Sequence, residues 1–153
     1  MGITQKAFYH GAALYEISQD MRFSSINSMP NIKSKHAYLL NHNTGLYIKH
    51  TTVEGDDGTT KSWRFTITKD EQTVIRGIFK TFKEKTYIVF VCTDEGICVV
   101  DYGTLISCVD FNNGENEWCE IYRSDGTSFR IRGNKGEHQY AIPLNAFPRV
   151  LFE

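Results

Sequence analysis

Proline is scarce in this chain, three in 153 residues, and so are long apolar runs. The longest, Tyr87 to Val91 continuing into Cys92, is far short of the ~20 residues needed to cross a bilayer, so neither a membrane-spanning helix nor a membrane partner is expected. The first twenty residues carry Lys6, His10, Glu16 and Asp20 among their apolar positions. That breaks the continuous stretch a secretory signal requires, and a cytoplasmic location is the expectation. Positive charge is not in excess either: 17 Lys and Arg against 18 Asp and Glu give a net charge of −1, whereas duplex-binding domains usually carry a basic surplus. Only a local concentration of cations could serve a nucleic acid.

Cys92, Cys98, Cys108 and Cys119 form an even set, which in a secreted miniprotein would suggest disulfides. Here Cys92 and Cys98 stand in apolar, strand-like runs and Cys108 follows Leu105 and Ile106, the setting of small buried hydrophobes. Their spacings lack the close CxxC of a structural zinc site. No glycine-flanked serine elbow and no phosphate-cradling glycine loop is present.

What is present is the composition of an ordinary globular protein, 41% hydrophobic and 23% charged. A chain of this length buries roughly 70% of its unfolded surface, which suits one domain over residues 1–153. From Thr4 to Ser18, Ala7, Gly11, Leu14 and Ile17 recur at the spacing of a helix face, with Phe8, Ala12 and Tyr15 beside them. Gly11 weakens that helix and suggests close approach of another element. His36–Leu40 and Leu46–Thr52 read as a hairpin whose Asn43-Thr44-Gly45 tolerates positive φ. Glu54–Ser62 is polar and reads as an exposed loop; Trp63, Phe65 and Ile67 alternate as a half-buried strand.

Thr68-Lys69-Asp70-Glu71 fits a capping box, and Val74, Ile75, Ile78, Phe79 and Phe82 give the helix behind it one apolar stripe. Tyr87–Cys92 reads as a central strand covered on both faces. Ile97–Val100 is a further strand, and Tyr102–Val109 a short helix. Trp118–Arg123, Ser128–Arg132 and Gln139–Ile142 then form an antiparallel β-meander over residues 111–153, joined at Asp125-Gly126 and Asn134-Lys135-Gly136. The expected fold is α/β, a mixed sheet flanked by two amphipathic helices with the meander appended.

The order helix, hairpin, third strand, helix, buried strand over residues 4–110 resembles the core of the PD-(D/E)xK, restriction-endonuclease-like nucleases. That resemblance implies that Lys49, late in Leu46-Tyr47-Ile48-Lys49, stands where the family keeps its catalytic lysine, and that Glu16 is the surviving helix acid. It also implies Mg²⁺ held by carboxylates, since the hard cation prefers their oxygens and lowers the pKa of its bound water. The chain departs from the pattern at two positions: Tyr47 stands where the acid paired with the lysine belongs, and Asn41 where the metal aspartate belongs. The implied module is therefore non-catalytic and binds nucleic acid or a protein partner, in a mobile-element or phage-defence setting. No cofactor is expected unless the chain is a Mg²⁺-dependent nuclease using Glu16 and Lys49. The remaining alternative is a protein-interaction module that forms homo-oligomers through exposed meander edges.

For nucleic-acid contact the candidates are Lys49 together with Arg123, Arg130, Arg132 and Lys135, which strand alternation gathers on the meander among Tyr122, Phe129 and Tyr140. His36 and His50 could face each other across the hairpin but lack a third close metal ligand. His10 and His138 read as isolated, and His42 as a turn residue.

Overall fold

The computed structural model describes residues 2–153. Helix α1 (Gln5–Ser18) begins where the Thr4 hydroxyl accepts from the Ala7 amide at 3.1 Å. It is followed by β1 (Ile26–Ser28), the hairpin β2 (Ala37–Leu40) and β3 (Thr44–Thr51), then β4 (Glu54–Asp56), β5 (Thr60–Ile67) and α2 (Lys69–Phe82). Strands β6 (Thr86–Cys92) and β7 (Gly96–Asp101), helix α3 (Tyr102–Cys108), strands β8 (Glu117–Ser124) and β9 (Arg130–Gly133), the short α4 (Ala146–Arg149), and 3-10 turns at Lys83–Lys85 and Val150–Phe152 complete the described elements.

They form two sheets. The first, in the order β1-β2-β3-β6-β7, is mixed because β3 and β6 run parallel. Parallel neighbours need a crossover, and β4, β5 and α2 supply it. The second sheet, β4-β5-β8-β9, is antiparallel throughout. The fold is thus α/β, with helices flanking a mixed sheet and an antiparallel sheet beside it.

Strand β5 departs from the expected order: it leaves the first sheet and pairs with β8 along its whole length. Its alternating Trp63, Phe65 and Ile67 join Cys119 and Ile121 in one buried face, which meets the first sheet where the Phe65 ring lies 4.7 Å from Phe90. The expected strand Gln139–Ile142 shrinks to a single bridge between Phe129 and Ile142. Pro143 comes next and has no N–H to extend a ladder. Within Glu54–Ser62, expected as a loop, β4 and the start of β5 pair, and β4 is exposed throughout.

The hairpin turns on different residues from those expected. Asn41 (φ 51°) and His42 (φ 63°) carry the left-handed conformation. Gly45 is required for packing instead, because a Cβ there would collide with Ile78 and lie 2.8 Å from Phe82 Cδ2. Helix α2 therefore sits directly on β3. Its capping box is complete: the Thr68 hydroxyl accepts from the Glu71 amide at 3.2 Å, and Glu71 Oε1 accepts from the Thr68 amide at 3.1 Å. Ile75 and Ile78 are fully buried, while Phe79 stacks on Tyr102 at 4.0 Å.

Helix α1 packs on β3 and β6 but is turned relative to its expected face. His10, Ala13 and Ile17 point inward, Phe8 and Tyr15 are each 63% exposed, and nothing lies within 4 Å of a Cβ placed on Gly11. The expected close approach at Gly11 is absent, because His10 occupies the inward position and is held there by Tyr38. The four cysteines are free and buried, and burial pushes the Cys119 thiol up to about 12. No helix among the described residues is long and apolar enough to cross a membrane.

Candidate functional site

Lys49 and Tyr47 are two residues apart on β3, so both side chains leave the same face of the strand. Both reach the first turn of α2. Lys49 Nζ donates to Glu71 Oε2 at 2.6 Å and the Tyr47 hydroxyl donates to the same oxygen at 2.8 Å. Glu71 Oε1 is taken by the Thr68 amide. The ion pair is largely buried, with the Lys49 and Glu71 side chains 10% and 19% exposed. Burial alone would raise the Glu71 carboxyl, but the Lys49 ammonium, the Thr68 amide and the Tyr47 hydroxyl together hold it below its usual value. Burial first, and then that carboxylate, push the Tyr47 phenol up, so it stays a proton donor.

Tyr47 and Glu71 form the floor of an open cleft of about 320 Å³, whose rim carries Lys6 of α1 and Lys33, Ser34, Lys35 and His36 of the segment before β2. The ion pairs among the described residues leave Lys6, Lys33 and Lys35 without a carboxylate partner. Asp70 is the other acid lining the cleft. Beside the cleft lies a cluster of rings: His10 is 5.1 Å from His36 and 5.9 Å from His50, Tyr9 stacks on His50, and His36 stacks on Tyr47. His10 was expected to be isolated; the fold brings it between the two hairpin histidines.

The remaining expected residues lie elsewhere. Glu16 is exposed on α1 and lines a separate shallow cleft with Ile97 and Phe147. Asn41 is a structural clip, its Oδ1 accepting from the Ser24 and Ser25 amides and its Nδ2 donating to the Arg22 carbonyl. Both Glu71 oxygens are already hydrogen-bonded, one of them to the Lys49 ammonium, so this carboxylate does not suit Mg²⁺, a hard cation usually held by one or two carboxylates. Among the described residues no three His, Cys, Asp or Glu side chains converge on a metal-sized space.

On the meander, Arg132 donates to Glu120 Oε1 at 2.5 Å and lies over the Tyr122 ring. Arg130 meets Glu137 at 3.4 Å, and Lys135 donates to the Ile106 carbonyl. Register pairs Arg130 with Tyr122 and Arg132 with Glu120, whereas Arg123 points to the opposite face, over the Phe129 ring. The meander cations therefore do not share one surface, and Arg130 and Arg132 are each paired with an acid.

Lys6, Lys33, Lys35 and His10 carry no binding signal in the sequence. Lys6 and His10 are four apart on one helix, a spacing that puts them on one face. Lys33 and Lys35 flank a serine just before a strand. Glu71 was legible only as a cap. No family model, curated protein or solved structure matches this chain.

Proposed function

We propose that this chain is a non-catalytic, nuclease-like module that binds nucleic acid through its phosphates, in a mobile-element or defence setting. One observation carries the reading: three lysines without acid partners, Lys6, Lys33 and Lys35, line a cleft in which Glu71 is already neutralised by Lys49. Unpaired cations around a concave, solvent-open surface attract a polyanion despite the balanced net charge. The committed Lys49–Glu71 pair favours binding over hydrolysis, since the lysine is held by a carboxylate and both oxygens of that carboxylate are occupied.

The test is fluorescence anisotropy with DNA and RNA oligonucleotides across a salt series. Affinity should fall linearly on a log–log plot, and replacing Lys6, Lys33 and Lys35 together by Gln should flatten the slope by about 2–3. The Arg130→Ala/Arg132→Ala variant should leave the slope nearly unchanged. No binding of any oligonucleotide at low salt would overturn the reading in favour of a protein partner. Mg²⁺- or Mn²⁺-dependent cleavage that disappears in Lys49→Ala would overturn it in favour of a nuclease.

A further inference from the structure

Resting on that reading, we propose that the cleft takes up its phosphate ligand together with one proton, which binds His36. The geometry fixes which atom titrates. His36 Nδ1 lies 3.3 Å from the Ile48 carbonyl oxygen, an acceptor, so Nδ1 carries the hydrogen and Nε2 keeps the lone pair. His10 behaves alike. The Tyr38 hydroxyl lies 3.3 Å from the Lys35 carbonyl oxygen and 3.1 Å from His10 Nδ1; with its one proton on that carbonyl, Nδ1 is the donor. His10 Nε2 is left buried with no partner.

The cluster is thus a set of imidazoles that burial and nearby lysines hold neutral, with the Glu71 carboxylate opposing them at His36. From α1 it faces Lys6 and Tyr9, from the segment before β2 Lys33 and Lys35, from β2 Tyr38, and from β3 Tyr47 and Lys49. The acids nearby are Asp70 and Glu71 of α2, and Glu71 is bound to Lys49. Burial, then the charge of Lys6, lower His36, and burial with Lys49 and Lys6 lower His50. Of the three imidazoles, only His36 lines the cleft. A phosphodiester there would set a permanent negative charge beside the imidazole and reverse the balance that keeps it neutral.

A phosphodiester does not itself titrate near neutrality, so an oligonucleotide without terminal phosphates is the probe. Isothermal titration calorimetry of the unmodified protein, in buffers of different ionisation enthalpy, should show uptake approaching one proton per oligonucleotide near pH 7. Affinity should rise up to tenfold per unit as pH falls from about 8 to 6, and the His36 Cε1–H resonance should titrate at higher pH in the complex than in the free protein. The His36→Gln variant should still bind but lose the pH dependence, while His42→Gln, on the hairpin turn, should keep it. Binding without proton uptake, or an unshifted His36 resonance, overturns this inference and leaves the nucleic-acid reading standing. Absence of any binding overturns both.

Discussion

Lys49 shows how one partner decides a residue's role. A strand lysine is unremarkable in sequence, and its resemblance-implied role needs free carboxylates beside it. The fold gives it one carboxylate, Glu71, which is also the helix cap of α2. Removing one member of a largely buried pair strands the other charge. Lys49→Met should therefore cost about 2–4 kcal/mol in urea unfolding, and adding Glu71→Gln should restore at least half of that loss. A loss below about 0.5 kcal/mol would mean that the pair behaves as an exposed one. Because the Glu71 carboxyl is held below its ordinary 4.5, its contribution is present above that pH and fades as pH falls through the lower folded value. The Glu71 capping role was readable from Thr68-x-x-Glu71, since it is local. Its pairing with Lys49, 22 residues earlier, was not, because only the seating of α2 on β3 makes that contact.

At the scale of elements, helix α1 rests on the sheet through a buried histidine. His10 is only 4% exposed, and burial, followed by His36, Lys6 and His50, lowers its pKa to about 4. An unfolded chain binds that proton near 6.5, so between pH 6.5 and 4 the unfolded state holds more protons than the folded one. Stability is then full above about pH 6.5 and declines as pH falls toward 4, by roughly 3 kcal/mol from this group. Chemical denaturation at steps through that window should show the decline, and His10→Phe should remove most of its slope. An unchanged slope in the variant would place the acid sensitivity elsewhere. The existence and rough extent of α1 are legible from apolar spacing, whereas its Thr4 cap is a finding of the structure. Its facing is not legible: periodicity favoured Gly11 and Ala7, but a partner for His10 on β2 turned the helix.

For the whole molecule, the question is whether two sheets behave as one body. Phe65 of β5 is 1% exposed and lies against Phe90 of β6, and the buried apolar residues form one cluster across both sheets. Phe65→Ala should cost about 3–5 kcal/mol and lower a single cooperative transition for the whole chain. Two separate transitions, with only one displaced, would show the sheets to be independent. The α/β class, the capping box of α2, most strands and the apolar setting of the cysteines are readable from the chain alone, because each depends on neighbours a few residues apart. Only the folded chain makes Trp63–Ile67 join the meander, gives Gly45 its packing role, turns Arg123 away from Arg130, and brings Lys6, Lys33 and Lys35 to one cleft beside a cluster of three histidines. Those outcomes depend on register and on which faces meet across long stretches of chain, neither of which a few neighbouring residues can set.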